Sequence, residues 1–145
     1  MIYGDTFSVS KKTKQWLQVR TKEDKYKGYV KNRNFSTFLK PTHKVHVLKS
    51  KVYKFPNKKK KTNELSFCSK IRVTENKGKF LKFSIGWISK GDVKKISFKE
   101  RNPFKKIIMF KNIRYKWGGK SFKGIDCSAL LQVFLNFNNK FCPRD

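Results

Sequence analysis

The sequence predicts a mainly β chain with an α+β C-terminal part. Two patterns carry that expectation. Up to about residue 90 the apolar residues come in short alternating runs separated by charged or Gly-containing turns, the period of half-buried strands. Beyond residue 98 the spacing lengthens to three and four, the period of a helix face. A third observation concerns the core: 37 % of the 145 residues are apolar, and 14 Phe, 5 Tyr and 3 Trp are among them. Aromatic side chains bury large areas each, so small β-modules can hold together on few aliphatic residues.

The first block, residues 1–40, contains Phe7-Ser8-Val9-Ser10, Trp16-Leu17-Gln18-Val19-Arg20 and Tyr26-Lys27-Gly28-Tyr29-Val30. Those spacings suit a small meander or barrel. A second block, residues 41–97, repeats the order with Val45-His46-Val47-Leu48, Ser50-Lys51-Val52-Tyr53, Lys70-Ile71-Arg72-Val73, Phe80-Leu81-Lys82-Phe83 and Ile85-Gly86-Trp87-Ile88. Gly28-Tyr29-Val30 and Gly86-Trp87-Ile88 stand at the same place near the end of each block, a weak internal repeat. Pro41 marks the junction. Within the second block, Pro56-Asn57-Lys58-Lys59-Lys60-Lys61-Thr62-Asn63 reads as an exposed loop, because like charges repel and Pro starts a turn. His43 and His46, three residues apart, read as structural or exposed rather than as a metal pair.

The third section, residues 98–145, changes period. Asn102-Pro103 is a helix start signal, and Phe104, Ile107, Ile108 and Met109 fall on one side, predicting a helix between Phe98 and Phe110. A break follows at Tyr115-Lys116-Trp117-Gly118-Gly119. A second helix is expected from Gly124 to about Asn138, with Cys127, Leu130, Leu131 and Phe134 forming its buried stripe. Cys127 then stands in the first turn of a helix. Unpaired backbone N–H groups and the positive end of the helix dipole favour a thiolate there, and the thiolate is the reactive form.

The formal net charge is +28, which points to a polyanionic partner or to a Lys-coated solvated surface. Only 6 of the 37 basic residues are Arg, and planar guanidinium groups are what phosphate and base recognition recruits. A nucleic-acid role is therefore disfavoured, while the Lys-rich surface remains a candidate contact for an anionic polymer. No apolar run is long enough for a transmembrane helix, and the first residues, Met1-Ile2-Tyr3-Gly4-Asp5-Thr6, lack a signal-peptide pattern. Cys68, Cys127 and Cys142 have neither metal-ligand spacing nor the even count of a disulfide framework. Cys68, in Leu65-Ser66-Phe67-Cys68, reads as a small buried hydrophobe. No cofactor and no metal are expected.

Several spaced elements, in order, carry a resemblance: Tyr115-Lys116-Trp117-Gly118-Gly119-Lys120-Ser121, then Gly124-Ile125-Asp126-Cys127-Ser128, then Gln132, then Cys142-Pro143-Arg144-Asp145. Together they resemble the N-terminal half of the NlpC-type cysteine peptidase domain, and the two upstream blocks are similar to the bacterial SH3-like domains that precede it. The resemblance implies two small SH3-like β-barrels followed by the helical half of a papain-like domain. It implies Cys127 as nucleophile in hydrolysis of the γ-D-glutamyl-diamino acid bond of cell-wall peptide. Tyr115 matches a tyrosine beside the active site. Asp126 and Ser128 match positions that help hold the free amino end of a substrate beginning with L-Ala. Ala129 departs from the family, which commonly has glycine after Cys-Ser.

The family's histidine base comes from strands beyond the Pro-Arg-Asp segment. The expectation is thus a chain truncated before that histidine and incomplete at its first strand, inactive as it stands and with the apolar face of the Cys127 helix uncovered. Two alternatives stay open: a non-catalytic SH3-like module binding the cell wall, and, with less support, a basic nucleic-acid-binding protein. The implied setting is either the cytoplasm, in peptide recycling, or the cell envelope.

Overall fold

The computed structural model describes residues 1–144, so Asp145 of the quoted motif lies outside the described residues. The first block is an antiparallel meander of β1 (Phe7–Lys12), β2 (Trp16–Thr21) and β3 (Lys27–Lys31), in the order β1-β2-β3. Its turns are closed by short polar side chains: the Thr13 hydroxyl accepts from the Trp16 N–H at 3.0 Å, and Asp24 accepts from the Thr21 hydroxyl. Leu17 and Val19 are buried on one face, where the coil after β3 brings Phe35 edge-on to Phe7 at 5.0 Å.

Eight strands follow: β4 (His43–Val45), β5 (Lys49–Tyr53), β6 (Lys61–Ser66), β7 (Lys70–Ile71), β8 (Glu75–Lys77), β9 (Phe80–Phe83), β10 (Gly86–Ser89) and β11 (Val93–Lys95). They form a five-stranded sheet, β6-β5-β10-β9-β8, and a three-stranded sheet, β11-β4-β7. Val45, Val52, Leu65, Ile71, Leu81, Phe83, Ile88 and Val93 from both sheets make one core. The strand expected over Val45–Leu48 instead ends at Val45. Val47 packs on this core while Leu48 packs on the C-terminal one, and the chain bends between the two. Of the loop expected over residues 56–63, residues 56–60 lie outside the strands and Lys58, Lys59 and Lys60 are exposed, whereas residues 61–63 open β6, with Lys61 paired to Tyr53 and Asn63 to Val52.

The sequence repeat does not extend to environment. Tyr29 lies on the edge strand β3 and is 69 % exposed, whereas Trp87 lies on β10, between β5 and β9, and is 7 % exposed. Gly86 has φ +145°, and a Cβ there would come within 2.6 Å of the Tyr53 carbonyl oxygen; a Cβ on Gly28 would meet nothing within 4 Å. Only the second glycine is demanded by its surroundings.

The helix expected between Phe98 and Phe110 is not formed. The segment winds in tight turns ending in a 3-10 helix, Ile107–Phe110, in which the N–H groups of Ile107, Met109, Lys111 and Ile113 donate to carbonyls three residues back. That winding buries Phe110 and leaves Phe104, Ile107 and Ile108 exposed. The paired β-branched Ile107 and Ile108 and the like charges of Arg101 and Lys105, four residues apart, give an α-helix little local support.

A small hairpin, β12 (Lys120–Ser121) and β13 (Gly124–Ile125), then leads directly into α1 (Cys127–Phe137). The buried side of α1 is Ala129, Gln132, Val133, Phe134 and Phe137, rather than the expected stripe of Cys127, Leu130, Leu131 and Phe134. Ala129, Val133 and Phe137 recur at intervals of four, which turns Cys127 and Leu131 outward. Nor is the helix face uncovered. Phe67, on the turn after β6, stacks on Phe137 at 4.9 Å and tilts against Phe134 at 5.0 Å, with Phe110 and Ile125 completing the cluster. Cys68 is buried in the same core, as expected, and burial pushes its thiol up to about 12.

One buried cation locks this core to the second block. Lys44 on β4 sends its ammonium to the carbonyl oxygens of Phe98, at 2.5 Å, and Phe137, and holds it 4.6 Å from the centre of the Phe137 ring. A cation at the last helical carbonyl complements the negative end of the helix dipole.

Candidate active site

Cys127 is the first residue of α1 and is exposed. Its position follows from two local constraints. Asp126 has the extended backbone of an N-cap, φ −96° and ψ 173°, and its carboxylate accepts from the Ala129 N–H at 2.8 Å, which starts the helix at Cys127. Upstream, Gly124 has φ +148°, and a Cβ there would fall 2.6 Å from Lys116 Cβ. The backbone can therefore bring the 114–116 segment alongside β13: Ile125 N–H donates to the Arg114 carbonyl and Lys116 N–H to the Ile125 carbonyl, each at 3.2 Å. Tyr115 is bridged in parallel to Ile125, two residues before Cys127, and is 63 % exposed.

The four residues singled out in the sequence thus fall into one neighbourhood with different occupations. Cys127 is exposed and Tyr115 stands beside the preceding strand. Ser128 is half-buried and its hydroxyl donates to Asp126 Oδ1 at 3.2 Å. Asp126 is buried, and its second oxygen pairs with Arg144 Nη2. A substrate ammonium at Asp126 would compete with a guanidinium already in place.

Arg144 and Gln132 extend the site inward. Arg144 is buried, with its guanidinium 4.5 Å from the centre of the Tyr26 ring in the first block. Gln132 is fully buried; its Nε2 donates to Asp24 Oδ2 at 2.9 Å and to the Cys142 carbonyl at 3.0 Å. Burial works to raise the Asp24 carboxyl, but hydrogen bonds from Thr21 and Gln132 hold it below the usual range. Sequence reasoning quoted Gln132 and Arg144 in the motif without a role and missed Asp24. A glutamine between apolar neighbours on a short helix is the signal that a buried polar partner exists.

Neither histidine joins Cys127. His46 Nε2 lies 2.7 Å from the Gly91 carbonyl and its Nδ1 lies 3.3 Å from Lys106 Nζ. His43 Nδ1 lies 3.0 Å from the Thr42 hydroxyl, and burial together with Lys95 lowers its pKa. Among the described residues, no three His, Cys, Asp or Glu side chains gather where they could hold a metal ion.

No protein-family model matches the chain, and no curated protein matches it. Among solved structures it is similar to an NlpC/P60 family protein from Bacillus cereus, with a TM-score of 0.80 and 19 % identity over 96 % of this chain and 54 % of that one. NlpC2 from Trichomonas vaginalis aligns over 95 % of this chain and 55 % of its own at 15 % identity, but its TM-score of 0.34 is too low to bear on the fold. The chain therefore shares its fold with the Bacillus cereus protein and spans about half of that protein's length.

Proposed function

We propose that Cys127 is the nucleophile of a cysteine peptidase of the NlpC/P60 type acting on cell-wall peptide. The observation that carries this reading is the exposed thiol at the capped first turn of α1, in a chain that superposes on an NlpC/P60 structure at a TM-score of 0.80. In this reading the two upstream blocks are SH3-like modules and the C-terminal section is the helical half of a papain-like domain.

The substrate is a peptide with a free L-Ala amino end and a γ-D-glutamyl-diamino acid bond. The Cys127 thiolate adds to the γ-carbonyl carbon, and the backbone N–H groups at the open end of α1 face the developing oxyanion. The C–N bond breaks, the departing amine takes a proton, and a thioester to Cys127 remains. Water hydrolyses the thioester, releasing the carboxylate and restoring the thiol. Tyr115 borders the peptide, and Ser128 and Asp126 lie on the side of its amino end. The proton transfers need a general base. His43 and His46 are held elsewhere by Thr42, Gly91 and Lys106, so neither is placed to act as that base.

The test is release of the diamino acid from L-Ala-γ-D-Glu-diamino-acid peptide by a chain continued past Asp145 through a histidine-bearing strand. Release that disappears with Cys127→Ala supports the reading. A continued chain that folds and releases nothing contradicts it.

A further inference from the structure

The carboxylates of the first block all turn toward the rest of the molecule. Asp5 pairs with Lys120 at 3.6 Å, Glu23 pairs with Lys70, and Asp24 accepts from Gln132. The opposite face of the meander keeps only cations, hydroxyls, an amide and two aromatic rings. The strand register sets them in three cross-strand rows, Ser8–Arg20–Lys27, Lys11–Gln18–Tyr29 and Trp16–Lys31. All of these are exposed except Gln18, which is half-buried. Among the described residues, none of Lys11, Arg20, Lys27 and Lys31 lies within 4.0 Å of a carboxylate.

The rings are free for a ligand. Leu17 and Val19 on the other face make the interior of the block, while Trp16 is 44 % and Tyr29 69 % exposed. Trp16 sits opposite Lys31 and Tyr29 two residues back on the same strand, so the rings are diagonal neighbours on one face. Isolated exposed apolar rings are ordinary, but two adjacent rings ringed by unpaired cations form a patch with charge complementarity to an anionic chain bearing flat faces.

We propose that this face binds an acidic glycan, a linear sugar chain carrying anionic groups. Sugar rings pack on Trp16 and Tyr29, and their acidic groups pair with Lys11, Lys27 and Lys31. Their hydroxyls meet Ser8, Gln18 and the Tyr29 phenol, and sheet faces of this size serve oligosaccharides in other small β folds. A nucleic-acid strand fits less well. The face carries one guanidinium, Arg20, whose Nε donates to the Lys25 carbonyl at 3.3 Å, so its charge comes mostly from point-charge lysines rather than from the planar forks that phosphates and base edges recruit. The face is independent of Cys127 and of the peptide chemistry proposed for it.

The experiment is equilibrium binding of the full chain to polygalacturonate, with dextran, inorganic polyphosphate and oligothymidylate as comparison ligands. Polygalacturonate is expected to bind at low salt and to weaken steeply as salt rises, and dextran is expected not to bind. Trp16→Ala with Tyr29→Ala, and Tyr29→Ala alone on its exposed edge strand, should weaken polygalacturonate by about tenfold or more while leaving polyphosphate nearly unchanged. Removing charge from the exposed loop, with Lys58→Gln, Lys59→Gln and Lys60→Gln together, should leave polygalacturonate within about twofold. The proposal is overturned by any of three results: no polygalacturonate binding, loss in the loop variant equal to that in the ring variants, or oligothymidylate binding tighter than polygalacturonate.

Discussion

Arg144 pairs with Asp126, the residue immediately before Cys127, and both side chains are buried. The same carboxylate caps α1 through Ala129, so one side chain starts the helix that presents the thiol and anchors the segment that follows that helix. Asp126→Ala removes the cap and strands a buried guanidinium. The N-cap alone is worth about 0.5–2 kcal/mol, and breaking a buried pair costs about 3–5 kcal/mol. Denaturant unfolding should therefore show a loss at the upper end of that range, with a smaller one for Asp126→Asn, which keeps an acceptor for Ala129. Equal losses for the two variants would mean that the Ala129 cap contributes nothing.

Gln132 joins α1 to the first block through Asp24, and the two should be energetically coupled. Gln132→Leu removes the donor to Asp24 and to the Cys142 carbonyl and is expected to cost about 1–3 kcal/mol, the usual penalty for a buried group left without its partner. Asp24→Asn should cost less in the Gln132→Leu background than in the native chain. A double-mutant cycle from urea unfolding measures that difference, and a coupling near zero would show that the contact does not hold the first block in place.

Lys44 gives the fold a pH dependence in the alkaline range. Burial lowers its pKa from 10.5 to about 8, so between those values the unfolded chain binds more protons than the folded one. Stability therefore rises with pH across that window, relative to a variant without the group, and the burial penalty on the ammonium is fully present below pH 8. Cys68 acts oppositely: its thiol is pushed from 9.0 to about 12, which removes stability as pH rises between those values. Comparing the native chain with Lys44→Met over this range isolates the lysine, and a difference that stays flat contradicts the shift.

Phe67 is the ring on which the second block and α1 meet. Its truncation to Ala removes contacts with Phe110, Phe134 and Phe137 at once and should destabilise by about 3–5 kcal/mol. Truncation of the exposed Phe141 should change stability by less than about 0.5 kcal/mol. Thermal unfolding of the two variants side by side reads the contrast.

The strands were legible where alternation was clean, as in Trp16–Arg20 and Phe80–Phe83, because one sheet face is buried and the other wet. The strand expected over Val45–Leu48 stops at Val45 because Val47 and Leu48 serve different cores, a tertiary fact with no local signature. Phe98–Phe110 shows apolar spacing compatible with an α-helix, yet the chain winds by threes and buries only Phe110, so periodicity named the wrong period. On α1 the length was legible but the rotation was not. Cys127, Leu130, Leu131 and Phe134 satisfy the helical spacing as well as Ala129, Val133 and Phe137 do, and what decides between them is the cluster outside the helix, Phe67, Phe110 and Ile125. At the site, the glycines and the Asp126-Cys127 pair were readable from the motif. The Arg144, Gln132 and Asp24 contacts were not, since Asp24 lies more than one hundred residues from its partner.

Acylation by an L-Ala-γ-D-Glu aryl ester reads out whether Cys127 is a nucleophile for a peptide with a free L-Ala end. An aryl leaving group departs without a protonating acid, so the first covalent step can be read in this chain alone, by mass spectrometry of the acylated peptide. One acyl group is expected on Cys127, formed faster than any on Cys142 and slowed when the L-Ala amine is acetylated. Acylation that favours Cys142, or that is indifferent to the acetyl group, would contradict that role for Cys127.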